Sequence, residues 1–171
     1  MKIGIGDLKE GEYDSTEDTK KHIANVAGKI MRMIDALTNR AKVHDKSKLE
    51  SPEKEDFDKF TPRLAGMDYG GDEYKQCLKD MEPTIAHHHA NNRHHPEFHE
   101  NGIADMNLID VFEMFADWCA ATERHDTGNI FKSIELNQKR FGYSDELAAI
   151  MVNTAKSMKM GKGADEKPEV D

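Results

Sequence analysis

The chain has 171 residues, 37% of them hydrophobic and 33% charged, with 33 acids against 24 bases and a formal net charge of −9. That length suits one domain around one core, and the acidic balance argues against a nonspecific nucleic-acid or anionic-membrane binder, which needs a basic patch. It leaves room for a small anionic substrate held by a metal, because a bound cation outweighs net charge locally.

Glycine and proline are sparse inside the periodic segments and β-branched alternation is nearly absent, so the expected fold is all-α. Residues 1–13 read as a loose lead-in. Ser15 with Asp18 makes an N-terminal capping signature for a helix running to about Asn39, with Ile23, Val26, Ala27, Ile30, Ile34 and Leu37 on one stripe. A short helix or turn carries AKVHDKSK. Ser51-Pro52 starts the next helix; Phe57, Phe60 and Leu64 form its buried face and Gly66 stops it. MDYGGDE (67–73) is a loop. A helix then begins near Asp72 and leads toward a run of histidines, with Pro83 kinking or splitting it.

Residues 91–105 read as irregular. Helices at about 106–125, 128–141 and 144–158 complete the bundle, with Gly142 and Ser144 punctuating the last junction. The domain is expected over 14–158, and residues 159–171 read as a disordered polar tail.

Cys77 and Cys119 form no close-spaced framework, which points to buried thiols in a reducing compartment. The opening MKIGIGDLKEGEYD lacks the apolar core of a signal peptide, and no run approaches the ~20 apolar residues of a membrane helix. The expectation is a cytoplasmic protein, free of the membrane.

Four features carry chemistry. His44-Asp45, in VHDKSK, offers an imidazole nitrogen and a carboxylate oxygen from adjacent residues, both suited to a divalent cation; alone, such a dipeptide also serves as a polar helix end. His22 lies at the edge of the first helix's apolar stripe, where a boundary residue and a third ligand are both natural readings. In NLIDVFEMFADWCAAT (107–122), Asp110, Glu113 and Asp117 form a stripe opposite Leu108, Val111, Phe112, Phe115 and Cys119. An acidic stripe ordinarily faces water, but this helix is apolar almost all round, and a buried acid must be paired or bind a metal. Asp117 is therefore a candidate ligand and Glu113 a candidate base one turn earlier.

The fourth feature is IAHHHANNRHHPEFHE (85–100), which holds six of the nine histidines. That is more imidazoles than one metal takes, so some must orient a ligand, bind phosphate or shuttle a proton. A His-rich surface loop without a role is the plain alternative.

Taken in order, His22, His44-Asp45, the histidines of 87–95 and Asp117 resemble the HD-domain superfamily of metal-dependent phosphohydrolases. HDKSK resembles that superfamily's His-Asp-x-Gly-Lys run with Ser47 at the glycine position, and FADWCAA resembles the helix bearing its last aspartate. More narrowly, HDKSK, HHANNRHHPE and EMFADW resemble a small phage and bacterial branch. The resemblance spans about residues 20–125. It implies a single-domain helical bundle of the HD type, with one divalent metal (Mn, Mg, Ni, Zn or Fe) on His22, His44, Asp45 and Asp117. Where a second ion is present, His88 and His94 are the additional ligands.

On this reading the protein is a divalent-metal-dependent phosphohydrolase for a nucleotide or similar small phosphate ester. Such a metal activates water and polarises a phosphoryl oxygen. His88, His94, Lys48 and Glu113 are then the expected catalytic groups, and His89, Asn92, His95 and Lys48 the expected substrate contacts. A homo-oligomer is compatible with the sequence. Two alternatives stand beside it: a di-iron oxygenase on the same scaffold, and a non-catalytic helical protein holding a structural metal or none.

Overall fold

The computed structural model describes residues 13–65, 67, 71–124 and 127–165. Among them are seven α-helices, three 3-10 turns and no strand: α1 (Thr16–Val43), α2 (Glu53–Ala65), α3 (Asp72–Asp80), α4 (Glu82–Asn91), α5 (Leu108–Glu123), α6 (Ile130–Phe141) and α7 (Asp145–Met158). The all-α class is as expected. The chain divides into two compact units, Met1–Asn39 and Arg40–Asp171.

The described part of the first unit is the body of α1. Its first turn is capped by Asp14, whose Oδ1 accepts from the Thr16 amide at 2.9 Å, in place of the Ser15 cap read from sequence. Glu17 and Asp18 lie in the first turn, where the helix dipole favours acids. The stripe of Ile23, Val26, Ile30 and Ile34 belongs to a single helix, which by itself gives that stripe nothing to pack on. The helix also runs to Val43, so the last turn of α1 takes up residues expected in a separate turn and enters the second unit.

The second unit has two apolar clusters. Phe60 of α2, Cys77 of α3 and Met81 between α3 and α4 form one, with Phe57, Leu64, Met67 and Ile85 packed on it. The face read from Phe57, Phe60 and Leu64 is thus the buried one. Pro83 does not kink a long helix: α3 and α4 are separate helices that meet at Met81, with Pro83 in the first turn of α4, where a missing N–H costs nothing. Gly66 lies outside the described residues.

The larger cluster joins α5, α6 and α7 through Met114, Phe115, Cys119, Ile130, Ile134, Tyr143, Met151 and Ala155. Gly142 ends α6 at φ 67° and Ser144 caps α7, as the sequence indicates. The tail differs from expectation. Over residues 159–165 the chain folds back: Ala164 joins the core, the Ile130 amide donates to the Lys162 carbonyl at 2.9 Å, and the Lys162 amide donates to Thr122 Oγ1 at 3.0 Å. The hydrogen bonds to the ends of α5 and α6, rather than composition, hold this polar stretch. Residues 166–171 lie outside the described set.

Both cysteines are free thiols in these clusters. Burial, with Glu123 nearby, pushes the Cys119 thiol up to about 11. Among the described residues no helix is long and apolar enough to cross a membrane.

Candidate metal centre

Four segments of the second unit meet between the two clusters. They are the end of α1 with the turn after it (residues 40–49), the start of α2, the end of α4 with the loop to His95, and the polar face of α5. Helix α5 is placed by its N-terminus. Asn107 Oδ1 accepts from the amides of Ile109 and Asp110, and Asp110 Oδ2 accepts from the Asn107 amide, a reciprocal capping box. Of the apolar face expected from sequence, Phe115 and Cys119 are in the core and Val111 packs on it, while Leu108 (73% exposed) and Phe112 lie at the surface. Met114 is buried beside them, and Asp110 and Glu113 of the acidic stripe are buried as well.

Burying Asp110 and Glu113 requires partners. Arg93 grips Asp110 with two bonds, Nε to Oδ1 at 2.7 Å and Nη2 to Oδ2 at 2.8 Å. Arg40 donates from Nε to Glu113 Oε2 at 2.5 Å and approaches Asp110 Oδ1 at 3.5 Å. Glu113 Oε1 accepts from His44 Nδ1 at 3.0 Å and stands 3.4 Å from His94 Nδ1. Burial would raise the Glu113 pKa, but His44, His94 and Arg40 together hold it well below the usual carboxylate range.

A second buried carboxylate mirrors this on the other wall. Glu53, at 0% exposure, accepts from Ser47 Oγ at 2.9 Å, His88 Nδ1 at 2.8 Å and His87 Nδ1 at 2.9 Å. Ser47 is itself tied to the histidine helix, since Asn92 Nδ2 donates to its Oγ at 2.7 Å. Because an ionised Glu53 can only accept, His88 donates to it from Nδ1, and its Nε2 faces Asp45.

Asp45 sits between the walls. Its backbone is left-handed (φ 54°, ψ 17°), a region Asp tolerates better than most residues. Oδ1 lies 3.2 Å from His88 Nε2 and 3.5 Å from His94 Nε2. The buried atoms that find no hydrogen-bond partner among the described residues are Asp45 Oδ1, His88 Nε2, His94 Nε2 and His95 Nε2. The same four residues form a group whose ligand atoms lie within 4.8 Å of one another. Burial, followed by the neighbouring His94, His89 and His88 rings, pushes His95 down to about 3, so that ring is neutral. Three imidazole nitrogens and a carboxylate oxygen that converge without hydrogen bonds make a donor set complementary to a cation. The donor set fits a divalent transition metal.

A second group shares Asp45. His44 Nε2 stands 3.6 Å from Asp45 Oδ2 and 3.6 Å from Asp117 Oδ1, and these three residues also hold ligand atoms within 4.8 Å. Hydrogen bonding to Asp117 and Glu113 outweighs burial and raises His44 to about 10. Lys48 closes this side, its Nζ 2.5 Å from Asp45 Oδ2.

The family model described as a family of unknown function (DUF5662) matches residues 11–159. The chain belongs to this family. No curated protein and no solved structure matches it.

Within this DUF5662 chain the site residues named from sequence separate cleanly. His44, Asp45, His88, His94, His95, Glu113, Asp117 and Lys48 come together in the second unit. Asn92 lies beside them through Ser47 and the His88 carbonyl. His89 is half-buried next to His95, ring centroids 4.5 Å apart, and 3.9 Å from Glu97 Oε1. His22 lies on α1 in the first unit. Glu53, Arg40 and Arg93 were missed. Glu53 is one acid in the run EKEDFD, whose pattern marks an exposed helix start; only the loop that folds Ser47, His87 and His88 over it makes it interior.

Proposed function

We propose that this protein is a divalent-metal-dependent phosphohydrolase acting on a nucleotide or a similar small phosphate ester. One observation carries the reading: Asp45 Oδ1 and the Nε2 atoms of His88, His94 and His95 are buried, unpartnered and convergent. A divalent ion in that position supplies an activated water and a Lewis acid for a phosphoryl oxygen.

The chain's own groups divide the remaining work. His88 and His94, expected from sequence as catalytic groups or as ligands of a second ion, act here as ligands, each with a carboxylate behind its Nδ1. Glu113 orients His44 and His94 rather than abstracting a proton, since its oxygens are already engaged by Arg40 and His44. Lys48, 30% exposed at the rim, supplies positive charge toward an anionic substrate. His89 is held neutral by burial, which lowers its pKa; it serves a phosphate oxygen as an N–H donor, not as an imidazolium.

The test pairs metal analysis with a panel of nucleoside mono- and triphosphates, assayed with Mn, Mg, Ni, Zn and Fe. Asp45→Asn, which keeps a residue tolerant of the left-handed backbone, is expected to lose bound metal and turnover while staying folded. An Asp45→Asn protein with full metal content and activity overturns the proposal. So does a wild-type preparation with two irons per chain, an iron absorption spectrum and oxygen-dependent turnover, the result expected of an oxygenase.

A further inference from the structure

The two oxygens of Asp45 face different surroundings. Oδ1 looks onto the Nε2 atoms of His88 and His94, at 3.2 and 3.5 Å, and makes no hydrogen bond among the described residues. Oδ2 receives the Lys48 ammonium at 2.5 Å and faces His44 Nε2 at 3.6 Å. Lys48 is fixed there from several sides. It sits in the 3-10 turn Lys46–Leu49 that follows Asp45, its amide donates to the Asp45 carbonyl at 2.9 Å, and its ammonium lies 5.2 Å from the centroid of the Phe57 ring.

We propose that Lys48 limits the centre to a single metal ion by holding its ammonium on the Asp45 oxygen that a second ion needs. The inference rests on the metal centre proposed above. The second position would be made by His44 Nε2, Asp45 Oδ2 and Asp117 Oδ1, which are already gathered. A divalent ion on a carboxylate oxygen sits about 2.1 Å from it. With the ammonium 2.5 Å from the same atom, the two cations would stand within about 5 Å of each other in a half-buried pocket, where their repulsion is poorly screened.

Among the described residues no lysine or arginine pairs with Oδ1, where three imidazoles and one carboxylate oxygen suit a borderline transition metal. The side chain of Lys48 is 30% exposed, so packing alone does not require an ammonium there. The chain therefore carries the ligands of a two-ion centre with an internal cation standing in for one of the ions.

The experiment counts metal per chain. Full-length protein is stripped with chelator, equilibrated by dialysis against Mn2+ or Zn2+, and the bound ion is quantified. Wild type is expected to hold one ion, Lys48→Gln two, and Lys48→Arg, which keeps the charge, one. Asp117→Asn added to Lys48→Gln should return the count to one. Circular dichroism on each variant reports that the helices are intact, and Lys48→Ala provides a second neutral variant.

Two ions in wild type, or one ion in both neutral variants, overturns the proposal and leaves the metal centre standing. No ion in wild type overturns the metal centre as well.

Discussion

Glu53 Oε2 accepts a hydrogen bond from His88 Nδ1 at 2.8 Å, and neither side chain is more than 4% exposed. The pair links a structural acid to a candidate ligand: the glutamate holds Nδ1, and that fixes the ring with Nε2 toward Asp45. Carboxylates placed behind ligating histidines raise ligand basicity and fix ring orientation, and losing one typically weakens metal binding by about 10–100-fold. Glu53→Gln is therefore expected to lower metal affinity by that factor, read by titration calorimetry. Glu53→Ala leaves the buried His88 Nδ1 and the partly buried Ser47 hydroxyl without this acceptor and should also cost about 3 kcal/mol of stability in urea unfolding. A Glu53→Gln protein with wild-type affinity would remove the glutamate from the site.

Asp110 tests the other wall. Its carboxylate is 1% exposed and is held by Arg93, Arg40 and the Asn107 amide. Asp110→Ala removes one half of the capping box and leaves Arg93 unpaired, with an expected loss of roughly 3 kcal/mol. Arg93→Ala should cost less, about 1–2 kcal/mol, because Arg40 still faces the acid. The two losses should fall well short of adding in the double variant, since both remove the same bond.

The pH dependence of the metal-stripped protein follows from His95. Its folded pKa of about 3 lies below the ordinary 6.5, so between those values the unfolded chain takes up a proton that the folded chain refuses. This contribution to stability should fall as pH drops through 6.5, by up to about 1.4 kcal/mol per pH unit for one proton. His44, raised to about 10, is protonated in the folded chain throughout, so near pH 6.5 the unfolded chain's proton deficit at His44 offsets its excess at His95, and the net loss emerges below about pH 6. The loss begins above the range where carboxylates titrate, which separates the two. Denaturant melts from pH 7 to 5 should show it in wild type and show a shallower slope in His95→Gln.

The returning C-terminal segment can be tested at Gly161. Its φ is +82°, and a Cβ there would lie 2.9 Å from Ile130 Cβ and 3.3 Å from Cys119 Cα. Gly161→Ala combines a left-handed backbone with a clash against α5 and α6, for an expected loss of about 2 kcal/mol or more. A thermal melt unchanged from wild type would show that residues 159–165 do not pack on the core.

By itself the sequence determined the helical class, most helix ends and the identity of the reactive groups. Those signals are local: a proline or a cap residue acts on its own turn, which is why Pro83, Gly142 and Ser144 mark boundaries that the structure keeps. His44-Asp45 and the paired imidazoles were legible because ligand chemistry belongs to residue type. What only tertiary structure decided is direction and partnership. The rotation of α5 that turns Asp110 and Glu113 inward depends on Arg40 and Arg93, which lie 73 and 17 positions away from the acids they hold. Glu53 became a buried acceptor for the same reason. Its three donors come from a turn and a helix distant in sequence, and no periodicity within EKEDFD records that they will close over it.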